Sequence, residues 1–273
     1  MSATQNILLV GCGKMGGAML RGWLARGTAP ANVLIVEPHA DSADALRQEL
    51  SVTVVPDAAG IDAGFSPDIV VFAVKPQGMD DIVPSYAPFA ENGAVILSIA
   101  AGRTISYFET RLGGGAAIVR TMPNTPAAVG RGITAACANP HVSDGQRGAC
   151  ERLLEAVGEV VWVDDESLID PVTAVSGSGP AYVFLMIECL ARAGEAHGLP
   201  PEIAAQLARA TVAGSGELAR QSDEAASTLR QNVTSPGGTT AAALDVLMAD
   251  DGLQTLMNRA VDAATRRSRE LAG

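Results

Sequence analysis

Gly11-Cys12-Gly13-Lys14-Met15-Gly16 sets three glycines at the spacing of a phosphate-binding turn. The apolar run Ile7-Leu8-Leu9-Val10 precedes it and a helical stretch from about Met15 to Arg26 follows, the context that gives a GxGxxG match its weight. The first glycine permits the tight turn, the second lets a pyrophosphate approach the backbone, and the third lets helix pack on strand. The phosphates would rest on free N–H groups at the helix start. Gly11, Cys12, Gly13, Lys14, Met15 and Gly16 are therefore candidate contacts for a nicotinamide dinucleotide or a similar cofactor. Glu37 follows the next apolar run, Val33-Leu34-Ile35-Val36, about twenty residues on, where an acid commonly bonds the adenosine ribose 2′-hydroxyl. That placement leans towards NADH, although Arg47 or a turned loop could admit NADPH, and a solvated loop acid is the alternative.

Further motifs end other strand-like runs. Ala73-Val74-Lys75-Pro76-Gln77 stands at the C-terminal end of an expected central strand, the edge where ligands of such folds bind. Ser98-Ile99-Ala100-Ala101-Gly102 ends the next with small residues that leave room for a flat ring, and Met122-Pro123-Asn124-Thr125-Pro126 makes a stiff polar ledge. Ser176-Gly177-Ser178-Gly179-Pro180 is expected to expose backbone N–H groups at a helix start, and lacks the first glycine of a hydrolase elbow. Asn232-Val233-Thr234-Ser235-Pro236-Gly237-Gly238-Thr239-Thr240 feeds a glycine and hydroxyl loop into a helix, where a carboxylate would find donors without any cation. An elaborate N-cap is its alternative.

Elements of two kinds must position these residues. Apolar runs near 7–10, 33–36, 52–55, 69–74, 94–99 and 117–120 alternate with helix-length spacers, which predicts an α/β doubly wound parallel sheet. Runs at 132–137 and 160–163 would extend it at one edge. Composition changes near Asp164-Asp165-Glu166, giving an expected domain 1–164 and an all-α domain 165–273 of five helices. Its first helix, from Pro180 to about Gly198, is apolar almost all round and is expected to be buried. So small a bundle has limited core of its own, and dimerisation through it is expected.

Bulk properties narrow the function classes. A net charge of -11 opposes nucleic acid and anionic membrane surfaces as partners. The opening Met1-Ser2-Ala3-Thr4-Gln5-Asn6 has no leader pattern, and no segment is read as apolar enough for a membrane span, so a cytoplasmic location is expected. Cys12, Cys137, Cys150 and Cys189 form no CxxC pair; they are read as small buried hydrophobes, with no metal site.

In this order and at these distances, AVKPQ, SIAAG, MPNTP, SGSGPAY and NVTSPGGTT resemble the pyrroline-5-carboxylate reductase family over essentially the whole chain. The resemblance implies a Rossmann domain followed by a helical dimerisation domain, and reduction of 1-pyrroline-5-carboxylate to L-proline with NADPH or NADH. It places coenzyme contacts on the glycine turn, Ala73, Val74, Lys75, Pro76, Ala100 and Asn232. It places the substrate on Ser235, Gly238, Thr239 and Thr240, which meet the coenzyme across a dimer interface, with Thr240 bonding the ring nitrogen. Glu166 corresponds to an acidic position near the site. Glu37 departs from the family's hydroxyl or basic residues at that point, which sets NADH against the family's usual NADPH.

The residue inventory suits such a substrate. Reducing a ketone needs a proton donor for the developing alkoxide, commonly Lys, His or Tyr. After Asp164 there is no lysine; His197 precedes Gly198 as a C-cap, and Tyr182 lies in an apolar helix. An imine can be protonated before hydride arrives, so a threonine hydroxyl and backbone donors suffice. A β-hydroxyacid dehydrogenase, which uses a lysine from its helical domain, fits less well. A reductase of another imine, or a nicotinamide-sensing protein without turnover, are the remaining alternatives.

Overall fold

The continuous aliphatic runs pair into one sheet, as strands covered on both faces should. The computed structural model, which describes residues 5–272, contains β1 (Ile7–Val10), β2 (Val33–Val36), β3 (Thr53–Val55), β4 (Ile69–Phe72), β5 (Val95–Ser98), β6 (Ile118–Met122), β7 (Gly132–Ala138) and β8 (Gly158–Trp162). Met1 to Thr4, part of the opening stretch read for a leader, lie outside the described residues. The strand order is β3-β2-β1-β4-β5-β6-β7-β8. β1 to β6 pair in parallel, while β7 runs antiparallel to β6 and parallel to β8. The order reverses between β1 and β4, the switch point at which doubly wound sheets bind ligands. Register matters here: Val10 pairs with both Val36 and Phe72. The chain therefore leaves three strands level, at Gly11, Glu37 and Ala73.

Helices cover both faces: α1 (Lys14–Ala25), α2 (Ala40–Leu50), α3 (Met79–Ile82), α4 (Ala87–Glu91), α5 (Ile105–Leu112), α6 (Asp144–Glu155) and α7 (Ile169–Val172). On one face Leu9, Ile35, Val71 and Leu97 pack with Met19, Leu20 and Trp23 of α1 and Leu153 and Leu154 of α6. On the other, Leu8, Val70, Ile96 and Ile118 pack with Met79, Tyr86 and Phe108. Each such side chain contributes roughly 1.5–3 kcal/mol on burial. The Trp23 indole N–H donates to the Leu153 carbonyl at 2.9 Å, which satisfies the polar atom of a fully buried ring. Ser143 and Gln146 close a reciprocal capping box on α6.

The chain divides into two compact units, the first running to Gly177 and taking back the segment from Thr265, the second comprising Ser178–Ala264. The composition change near Asp164 marks the end of the sheet, and residues 165–177 still belong to the first unit. The second unit holds α8 (Gly179–Ala196), α9 (Pro201–Gln221), α10 (Ala226–Asn232), α11 (Thr239–Leu247) and most of α12 (Leu253–Ala272). α8 ends at His197, whose N–H bonds the Ala193 carbonyl, and Gly198 then turns the chain at φ +91°. His197 is a C-cap, as expected.

Expectations about the burial of α8, about two of the cysteines and about a membrane-length stretch are corrected. α8 is not buried within the chain: Val183, Phe184, Leu185, Met186 and Leu190 are exposed, Phe184 at 59 %. Its apolar surface runs round the whole helix, and packing on α9 covers part of it. Cys189, on the same helix, is likewise exposed and Cys12 is half-buried, while Cys137 and Cys150 are buried as expected. SGSGP opens α8 as expected, with Ser178 as an N-cap that has no side-chain cap and no acid in the first turn; the unexpected feature is a π-turn over Thr173–Gly177 just before it. The helical stretch Glu166–Ala196 also contains an 18-residue window of mean hydropathy 1.4, long and apolar enough to cross a membrane by length and composition, where the sequence predicts no such segment.

Candidate active site

The glycine turn is built as its three positions require. Gly11 takes φ +86°, and a Cβ there would lie 2.6 Å from Val74 Cγ1. Gly16 meets the Gly11 carbonyl, where a Cβ would lie at 2.6 Å, so its smallness lets α1 close on β1. Gly13 is different: a Cβ there would meet nothing within 4 Å. Its backbone is open, and Gly13 is also the N-cap of α1, which has no side-chain cap and no acid in its first turn. Uncapped N–H groups on an open backbone are what a pyrophosphate needs, so the residues present fit a dinucleotide.

Neighbouring strand ends bring other candidates to this edge. The Ala73 N–H bonds the Val10 carbonyl at 2.8 Å, and the Gly16 Cβ position lies 3.1 Å from Ala73 Cβ, so Ala73 and Val74 abut the turn. Lys75 is exposed and extended before Pro76, which starts a short 3-10 turn. Ala100 is buried at the end of β5, its N–H bonded to Ser98 Oγ at 3.2 Å. Asn124 of the ledge accepts from the Ile133 N–H at 2.9 Å and donates to Ser176 Oγ at 3.3 Å, tying MPNTP to SGSGP.

Glu37 is buried rather than solvated, at 7 % exposure. Its carboxylate accepts from the Cys12 N–H at 3.2 Å and from the His39 N–H at 3.1 Å. Each oxygen keeps a lone pair for a further donor. Arg47 is engaged elsewhere, with Asp44 at 2.7 Å and the Val54 carbonyl at 2.8 Å. Burial, followed by the Glu37 charge, pushes the Cys12 thiol up to about 11 against the opposing pull of Arg21.

The second unit carries its own candidate group. Between α10 and α11 the chain turns at Gly237, φ +69°, and the Gly238 N–H bonds the Ser235 carbonyl at 3.0 Å. α11 starts at Thr239 from an extended Gly238, with no side-chain cap and no acid in its first turn. Ser235 and Thr239 are exposed and Thr240 half-buried. The elaborate N-cap expected as an alternative is not made. Asn232, ending α10, donates to Glu224 Oε2 at 3.3 Å.

Glu166 has a definite structural partner. Its Oε1 accepts from Arg120 Nη1 at 2.8 Å and from the Ile105 N–H at 2.8 Å, at the start of α5. Arg120, in mid-β6, is 4 % exposed at its side chain. Sequence reading passes over Arg120 because an arginine within an apolar run carries no partner signal; Glu166 lies far along the chain.

A family model described as pyrroline-5-carboxylate reductase dimerisation matches residues 166–271, and one described as NADP oxidoreductase, coenzyme F420-dependent, matches residues 6–102. The pyrroline-5-carboxylate reductase of Pseudomonas aeruginosa is 40% identical over 270 residues, covering 99% of this chain and 98% of that protein. The solved pyrroline-5-carboxylate reductase of Coxiella burnetii is 36% identical with a TM-score of 0.93, and the match covers 99% of each chain. A Plasmodium falciparum pyrroline carboxylate reductase solved with NADP bound is 29% identical with a TM-score of 0.82, covering 98% of each chain.

Proposed function

The chain belongs to the pyrroline-5-carboxylate reductase family, and from that premise we propose which of its residues carry the reaction. It is an NAD(P)H-dependent oxidoreductase that reduces the C=N bond of 1-pyrroline-5-carboxylate to L-proline, the last step of proline biosynthesis. The bound nicotinamide supplies hydride to the imine carbon. Residues 1–164 serve the coenzyme: Gly11 to Gly16 cradle its pyrophosphate, and Ala73 to Pro76 with Ala100 line the nicotinamide side. Residues 165–273 serve substrate and dimerisation, with Asn232 completing the coenzyme contacts.

The observation that carries the substrate assignment is the uncapped start of α11 beside Ser235, Thr239 and Thr240. Backbone N–H groups and hydroxyls there bind the substrate carboxylate without a cation. The Thr240 hydroxyl holds the ring nitrogen. The imine is protonated before reduction, so hydride addition neutralises charge and no strong acid is required. That agrees with the absence of lysine after Asp164.

The coenzyme leans to NADH. A buried carboxylate at the end of β2 has lone pairs for ribose hydroxyls and repels a 2′-phosphate. The family works as a homodimer, and the exposed apolar surface of α8 supplies a face for it; association of dimers into a larger assembly is part of the same reading. The enzyme works in the cytoplasm on a small molecule, without nucleic acid or membrane.

Oxidation of NADH and NADPH followed with pyrroline-5-carboxylate, with ketoacids and with no substrate tests the reading. Imine-dependent oxidation is expected. Equal rates with ketoacids, or binding of coenzyme without turnover, would overturn it.

A further inference from the structure

Arg103 leaves the β5 loop directly after Gly102, which takes φ +72° and is packed so closely that a Cβ would lie 2.7 Å from the Leu271 carbonyl. Its guanidinium crosses to the β4 loop, where Nη2 donates to the Pro76 carbonyl at 2.6 Å. One side chain thus fastens Ala73 to Pro76 to the segment that follows Ala100. The fastening is itself braced: Arg103 Cζ lies 4.5 Å from the centre of the Tyr107 ring, and Nη2 lies 3.4 Å from Asp80 Oδ2. Asp80 Oδ1 takes Arg111 at 2.7 Å, and Arg111 lies over the same ring at 3.8 Å.

We propose that Arg103 is a positioning residue for the coenzyme, holding the Ala73 to Pro76 loop in its binding geometry. The inference rests on the reading that this loop touches the coenzyme. The Pro76 carbonyl takes the Met79 N–H on one lone pair, inside the loop's own turn, and Arg103 on the other, so Arg103 is the donor that reaches it from outside the loop. A charged donor makes that hydrogen bond one of the stronger kind. Asp80, Tyr107 and Arg111 hold the guanidinium where a free arginine would sample many rotamers. Arg103 acts through the loop, so its loss weakens coenzyme binding and leaves the reaction of bound coenzyme intact.

The test compares Arg103→Met, Arg103→Lys, Asp80→Asn and Lys75→Met, with coenzyme Kd from fluorescence and KM and kcat from pyrroline-5-carboxylate reduction. Arg103→Met is expected to raise coenzyme Kd and KM about tenfold, the scale of one charge-assisted hydrogen bond. Its kcat at saturating coenzyme should stay within about twofold, as should KM for pyrroline-5-carboxylate. Arg103→Lys should recover part of the loss. Should Arg103→Met not fold, Asp80→Asn replaces it, with an expected rise of about threefold on the same scale. Unchanged coenzyme affinity in the folded Arg103 or Asp80 variant, with a raised Kd in Lys75→Met, overturns the clamp and leaves the loop reading standing. Unchanged affinity in all of them overturns the loop reading as well. A fall in kcat equal to the rise in coenzyme KM also contradicts a positioning role.

Discussion

The Glu37 carboxylate accepts a hydrogen bond from the Cys12 backbone N–H at 3.2 Å, so the acid that ends β2 and the glycine turn that ends β1 form one rigid corner. The charge proposed to discriminate between coenzymes is thereby fixed against the turn proposed to bind both. Glu37→Ser removes it. The ratio of specificity constants for NADH over NADPH should fall at least tenfold, about 1.4 kcal/mol of discrimination. A native enzyme that already prefers NADPH strongly would refute this role.

Gly13 and Gly16 should fail in different ways when changed to alanine. Gly16→Ala drives a methyl towards the Gly11 carbonyl at 2.6 Å and should cost about 1–3 kcal/mol, read as a lowered Tm without coenzyme. Gly13→Ala meets no protein atom, so Tm should barely move while coenzyme KM rises about tenfold or more as the methyl intrudes on the pyrophosphate. Equal loss of stability in the two would show that Gly13 is only a turn residue.

Much of this corner is legible in sequence, because turn glycines, aliphatic strands and an acid at fixed spacing are local signals. Ala73 and Val74 are found the same way, as the end of a central strand. The π-turn at Thr173–Gly177 is not legible: glycine and serine mark the helix start that Ser178 provides, but carry no sign of a π-turn before it. Arg103 and Arg120 are invisible for another reason, since their partners Pro76 and Glu166 become neighbours only when β4, β5 and β6 align. The exposure of α8 is missed because apolar periodicity reports that a face will be covered, not by which chain.

Glu166 should prove structural rather than catalytic. Glu166→Ala strands the Arg120 guanidinium in the sheet and frees the Ile105 N–H, at a cost of about 3 kcal/mol. Chemical denaturation should show that loss, with kcat within about threefold of the parent. A kcat collapse at unchanged stability would place Glu166 in the reaction instead.

Cys12 should be unreactive although it sits in the phosphate turn. A thiol pushed to about 11 is protonated at neutral pH, and thiolate accumulates only as pH approaches that value. In a Cys189→Ala background, which removes the exposed thiol, iodoacetamide should label Cys12 slowly at pH 7.5 and faster above about pH 10. Rapid labelling at pH 7.5, with loss of coenzyme binding, would contradict a thiol held protonated in the turn.

Thr240 can be separated from the carboxylate donors around it. Thr240→Ala should lower kcat/KM for pyrroline-5-carboxylate about 10- to 100-fold while coenzyme KM holds, and Thr240→Ser should restore most of it. Unchanged turnover in the alanine variant would remove Thr240 from the mechanism.

The most direct measurement supplies coenzyme deuterated at both C4 positions of the dihydronicotinamide, together with pyrroline-5-carboxylate, and analyses the product by mass spectrometry. L-proline carrying a single deuterium on the former imine carbon, formed in step with coenzyme oxidation, is the expected product. Coenzyme oxidation that leaves proline unlabelled, or no oxidation with this imine, would contradict it.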